Sequence, residues 1–321
     1  MRHNQTLTSL AAIMSISTPV LAADFEFATR DEAVSILTAQ DEVLSRFGAL
    51  EIGVRLQSET DQSMDSLIAR FTAAAMEYTD EEKARINALL EAEAGNLALL
   101  EPLLPETIYF IRTDASIDGG FPHTRANAIV YPGDMSDMAD DQFRVIFYHE
   151  LYHVLSRHNA GQRDEAYALL GYEPCAFEPP ANLYARRLTN PDAPVSEHYI
   201  PLLLEAGDGV LPYLYLPEGG YLASREGGFG SYFGFGLITV DVTDGRCDAV
   251  MDDAGDALIL DPGTAPGFLD AIGRNTGYII HPEETMADNF VLWMTGGTDM
   301  PNPEIVERVR DWHTARADAL R

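Results

Sequence analysis

The stretch Phe147-Tyr148-His149-Glu150-Leu151-Tyr152-His153-Val154-Leu155 places two histidines four positions apart, with a glutamate directly after the first. Four residues make a little over one helical turn, so His149 and His153 point the same way and can share one metal ion. Phe143, Phe147, Leu151, Val154 and Leu155 form an apolar stripe. This predicts an amphipathic helix from about Asp141 to Arg157, pressed into a core, with Asp140 or Asp141 as its N-cap. Glu150 falls on the flank of the histidine face, too far round to ligate comfortably but well placed to hold a water and take its proton. The plainer reading is two core histidines and a surface glutamate.

Zinc in a catalytic site needs a third protein ligand and an open position. Ser156 and Asn159 stand where a metzincin would need glycine and histidine. His158 is near, but it ends the same helix and would have to bend back. The other common solution is a glutamate on a later helix with an aspartate one turn on, the aspartate bracing a ligand histidine through its second ring nitrogen. Two places downstream fit: Glu284 with Asp288, and Glu307 with Asp311. Glu284 is followed by the apolar run Phe290-Val291-Leu292-Trp293-Met294, which suits a buried helix, whereas Glu307 sits among Arg308, Arg310 and Asp311, where surface ion pairs explain it. Glu284 is the expected ligand and Asp288 its brace, with Glu283 an alternative if the helix start is frayed.

Taken together, His149-Glu150-x-x-His153 and Glu284-x-x-x-Asp288 resemble the gluzincin branch of the zincin metallopeptidases, the group that includes thermolysin. The resemblance covers these two motifs and the strand before the helix. The interval from His153 to Glu284 is far longer than in thermolysin-like enzymes, which implies either an inserted substrate lobe or a different third ligand. The resemblance also implies that Asn127 and Ala128 lie on an edge strand that pairs with an extended peptide; an ordinary core strand is the alternative. A peptidase further needs a donor for the tetrahedral oxyanion. His281 and Tyr278, just before the ligand helix, are the candidates, although His281 could equally cap that helix.

The expected fold is α+β, with a zincin-like core of a small sheet and the His149 helix. Residues 1–22 read as a signal peptide: Arg2, an uncharged apolar run from Leu7 to Val20, then Val20-Leu21-Ala22 as a cleavage site. Residues 23–104 read as a helical region, in which Thr79-Asp80-Glu81-Glu82 is a capping box. Residues 105–160 begin the core, with strands at Ile108–Ile111 and Ala126–Tyr131 separated by the turn-rich Asp118-Gly119-Gly120. A loop- and strand-rich insertion follows over 161–274, in which Gly227 to Phe235 reads as a tight hairpin or loop with aromatic packing. Helices from Pro282 and from Pro303 complete the metal site over 275–321.

The balance of 51 acidic against 21 basic residues, a net charge of −30, repels nucleic acid and anionic membranes. Asp248, Asp252, Asp253 and Asp256 cluster, without EF-hand spacing to support calcium. In an exported protein Cys175 and Cys247 would pair, closing a loop of about seventy residues for ~4 kcal/mol; free buried thiols are the alternative. The expectation is an exported zinc peptidase, periplasmic or secreted, in which Glu150 activates a zinc-held water to attack an amide of a peptide or protein. The rivals are a non-catalytic zinc-stabilised binding protein and a zinc hydrolase of other amides or esters.

Overall fold

The computed structural model describes residues 23–321 except 134, 136, 137 and 218. The expected signal segment therefore lies outside the described residues. The architecture is mixed α/β, with two sheets.

The first sheet is built around β3 (Thr107–Thr113), introduced here with β1 (Asp24–Phe27), β2 (Ala75–Met76), β4 (His123–Arg125) and β5 (Ala128–Pro132). Its order is β1-β3-β5-β4, with the short β2 taking the far half of the same β3 edge that β1 begins. Strands β1, β3 and β5 run parallel, and β4 closes one side antiparallel to β5. Successive side chains of a strand face opposite ways. Ile108, Phe110, Ile129 and Tyr131 accordingly enter one core, while Ile111, Ala128 and Val130 enter another.

Helices α1 (Arg30–Leu37), α2 (Ala49–Arg55) and α3 (Met64–Ala74) supply Ala33, Leu37, Ile52, Leu67 and Phe71 to the second of these cores. Helices α4 (Asp80–Ala92), α5 (Ala94–Leu100), α6 (Asp140–His158) and α7 (Arg163–Ala168) pack on the opposite face. The capping box at Thr79 opens α4 as expected. The N-cap of α6 is Ala139, not Asp140 or Asp141, and it makes no side-chain bond. Both aspartates lie in the first turn instead, where their charge favours the positive end of the helix dipole.

The placement of Asn127 and Ala128 on an edge is corrected by the topology. Ala128 lies on β5, flanked by β3 and β4, and Asn127 sits in the turn before it, donating to the carbonyl of Thr107. The edge position belongs to β4, only three residues long and buried throughout, with its Thr124 N–H taken by Asp192.

The region after α7 holds α8 (Ala181–Ala185) and a seven-stranded, mostly antiparallel sheet. Its strands are β6 (Glu173–Pro174), β7 (Ala176–Phe177), β8 (His198–Pro201), β9 (Gly209–Tyr215), β10 (Gly234–Thr243), β11 (Arg246–Ala249) and β12 (Ile259–Leu260). Cys175 and Cys247 form the expected disulfide, tying the β6–β7 corner to β11. The Gly227–Phe235 stretch is a single helical turn, Phe229–Tyr232, leading into β10 rather than a hairpin. The chain closes with α9 (Phe268–Ile272), α10 (Pro282–Thr295) and α11 (Pro303–Leu320), the last two each opened by proline. No described helix is long and apolar enough to cross a membrane.

Candidate metal centre

Helix α6 crosses the sheet with its C-terminal half enclosed. Every residue from Glu150 to Ser156 is buried, so this half is wrapped all round rather than striped. Helix α10 packs against it and is buried from Pro282 to Ala287. Its entry is set by His281, whose Nδ1 accepts from the backbone N–H of Glu283, and by Pro282 in the first turn.

This packing brings the predicted ligands together. Oε2 of Glu284 lies 3.0 Å from Nε2 of His149 and 3.3 Å from Nε2 of His153. Behind them, Nδ1 of His149 is 3.0 Å from Oδ1 of Asp288, and Nδ1 of His153 is 3.0 Å from Oε1 of Glu283. Each imidazole thus donates its Nδ1–H to a carboxylate, which fixes the tautomer that offers Nε2 as ligand. Thr276 steadies Asp288, and Ser156 and Tyr167 donate to the other oxygen of Glu283. Glu283, weighed in the sequence as an alternative ligand, is therefore a brace.

Burial works against charge on His149, but its bonds to Asp288 and Glu284 outweigh that and raise its pKa to about 10. Nε2 of His153 is fully buried and makes no well-directed hydrogen bond. An orphaned imidazole nitrogen is costly in a core, and a metal ion between the two Nε2 atoms and Oε2 of Glu284 would satisfy it. His149, His153 and Glu284 can hold a metal ion. Two imidazoles and one carboxylate form a donor set suited to a divalent transition ion.

Glu150, His153 and Asp192 form a second convergent group sharing the same histidine. Glu150 is buried beside the metal position, and its Oε2 accepts from Thr124 Oγ1 at 3.0 Å. Burial first, then the neighbouring Asp192 carboxylate, pushes its pKa upward. Asp192 accepts the backbone N–H of Thr124 at 2.6 Å, on the outer edge of β4. Asn190 donates to Oε1 of Glu284, and Thr189 is held by Glu51. Leu188 to Asp192 is thus a strap that ties the second sheet to the metal centre, its far end bonded to Leu214.

No family model, curated protein or solved structure matches this chain.

His149 and Glu150 open onto a cleft of about 460 Å³ whose rim includes Tyr278, Asp192 and Val145. A larger cleft of about 690 Å³ lies across the strap and touches none of the metal-ligating residues. The Tyr278 ring centroid is 5.8 Å from that of His149. Desolvation of its hydroxyl, then the facing carboxylate of Glu284, holds this phenol well above its ordinary range, so it remains an O–H donor. His281 is placed differently. Its Nδ1 caps α10 and its Nε2 donates to the carbonyl of Val195, so both ring nitrogens are engaged away from the cleft.

Glu307 and Asp311 are exposed on α11, and His158 is exposed at the end of α6. The acidic stretch near Asp252 does not converge on a point either. Asp252 accepts from the N–H groups of Ala254 and Asp256 in its own turn. Sequence reasoning missed Thr124, Asn190 and Asp192. Their only local signal is the turn-forming Asn190-Pro191-Asp192, which says nothing about a metal.

Proposed function

We propose that the protein is an exported zinc peptidase of gluzincin type, with His149, His153 and Glu284 as ligands and Glu150 as general base. The observation that carries this reading is the position of one carboxylate oxygen, Oε2 of Glu284, within 3.3 Å of both Nε2 atoms. Support also comes from the mixed α/β core that carries the histidine-bearing helix against its sheet. The disulfide and the lack of a spanning helix among the described residues are consistent with an extracellular location.

A zinc ion held by these residues would supply a Lewis acid at the scissile carbonyl and acidify water. The chain's own residues do the rest. Glu150, held by Thr124, takes the proton of the attacking water and passes it to the leaving amine. Tyr278 offers an O–H at the cleft rim for the oxyanion.

A purely structural metal site has no use for a general base on an open cleft, and the position of Glu150 argues against the non-catalytic alternative. The test is metal analysis of the purified protein together with turnover of a mixed peptide library. Glu150→Gln should retain one equivalent of zinc and lose nearly all turnover. A zinc-free protein, or a Glu150→Gln variant as active as the parent, would end this reading.

A further inference from the structure

The polar wall of the metal cleft is internally paired. Arg55, buried on α2, donates to Glu51 at 2.8 Å, to Asp118 and to the carbonyl of Thr189. His123 engages the carbonyl of Phe121 through Nδ1 at 3.1 Å, while its Nε2 lies 3.4 Å from Asp118. The arginine on this wall is thus committed to partners of its own. An acidic substrate group entering here would lose water and find no free arginine on this wall to receive it.

Over this wall stand three aromatic rings from two separate segments. Phe229 and Phe233, from the glycine-rich stretch before β10, pack edge to face with centroids 5.1 Å apart. Phe233 in turn lies 6.3 Å from Phe121, on the loop before β4. The platform is anchored from beneath. The Arg55 guanidinium sits 5.5 Å from the Phe229 ring, and Phe229 lies against the backbone of Gly119 so closely that a Cβ there would come within 2.5 Å of the ring. Gly119 also has φ +69°, so both its conformation and its neighbour call for glycine.

Fixed from below, the platform is bare above. Phe121 is 52% exposed, Phe233 43%, Val145 42% and Tyr278 42%, and all four face the cleft that holds His149 and Glu150. Large apolar side chains left in water and gathered at one opening mark a binding surface.

We propose that Phe121, Phe229 and Phe233 form a specificity wall that receives a bulky apolar side chain, preferably aromatic, adjacent to the scissile amide. This rests on the peptidase reading above, and it assigns to that site a substrate class and the residues that select it. Aromatic rings accept another ring edge-on or offset, and the closed ion network behind them leaves no cation to receive an acidic side chain.

The test measures binding without turnover. Zinc-loaded Glu150→Gln protein is titrated against two fluorescently labelled hexapeptides that differ only in a central Phe or Ser. The Phe peptide should bind about tenfold tighter or more, the discrimination expected of an apolar pocket. Phe233→Ser and Phe121→Ser, each made in that background, should erase the difference while zinc content stays at the parent level. In the active protein the same changes should lower kcat/KM for the Phe peptide and leave the Ser peptide unaffected. Equal binding of the two peptides, or binding of neither, overturns the wall. Preferential Phe-peptide binding by a protein that holds no zinc or cleaves nothing would instead overturn the peptidase reading and leave the wall standing.

Discussion

Glu283 and Glu284 are neighbours in the chain that serve opposite edges of one ring: Oε1 of Glu283 is 3.0 Å from Nδ1 of His153, and Oε2 of Glu284 is 3.3 Å from its Nε2. A brace and a ligand in adjacent positions imply graded losses. Glu284→Ala should remove most bound metal, whereas Glu283→Gln and Asp288→Asn should each weaken affinity by about 10–100-fold. Glu307→Ala should change nothing. Competition against a chelator of known affinity measures all four. Unaltered affinity in Glu283→Gln would show that His153 needs no charged partner.

His313 offers a pH test away from the metal. Its Nδ1 donates to the carbonyl of Val309 at 2.7 Å, and its buried Nε2 has no partner among Tyr152, Phe290, Trp293 and Trp312. Burial depresses its pKa to about 4 from the ordinary 6.5. The folded state therefore disfavours the proton that the unfolded chain accepts. The resulting stability is complete above about pH 6.5 and is lost as pH falls toward 4, on the order of 3 kcal/mol. Thermal midpoints of the parent should fall more steeply across this window than those of His313→Phe.

The disulfide spans 72 positions. Replacing both cysteines by serine should cost about 4 kcal/mol in urea unfolding on the loop-entropy estimate. Zinc content in native buffer should persist, since neither cysteine touches the metal centre. An unreduced digest of the parent should show the two peptides linked.

Arg55 and Glu51, one turn apart on α2, form a buried ion network with the distant Asp118. Arg55→Met leaves two carboxylates enclosed without their cation, and should cost about 3–5 kcal/mol. Adding Glu51→Gln and Asp118→Asn should restore part of that loss. No recovery in the triple variant would show that the arginine matters through packing against Phe47 and Phe229 rather than through charge.

The candidate metal ligands were legible because each belongs to a helix, where spacing fixes direction. His149 and His153 share a face by their four-residue interval, and Glu284 and Asp288 do the same on α10. Pro282 and Pro303 marked helix starts for the same local reason. What lay in contacts distant along the chain was not legible. Strand β4 has three residues and no alternation of its own; it is a strand only because β5 pairs with it. With β4 unseen, nothing in the residues decided between the edge that the resemblance implied for Ala128 and an ordinary core strand. His281 shows the converse limit: its place before the ligand helix suggested an oxyanion donor, and the structure uses the ring to start that helix. Asp192 and Asn190 reach the centre through the strap, which no periodicity announces. The glycine-rich aromatic stretch was visible as a peculiarity, but only the position of Gly119 under Phe229 shows which cleft it faces.

Glu284 follows His149 by 135 positions, and it arrives on the same helix as Glu283 and Asp288. A growing chain therefore carries both imidazoles through the making of an entire second sheet before it gains the ligand, and the two braces come with that ligand in one helical turn and a half. Helix α11 then packs over α10, and Arg321 reaches back to the carbonyls of Ala98 and Leu99, each at 3.1 Å. The centre is all or nothing with respect to synthesis. A chain interrupted between His153 and Pro282 holds two unbraced histidines and no third donor.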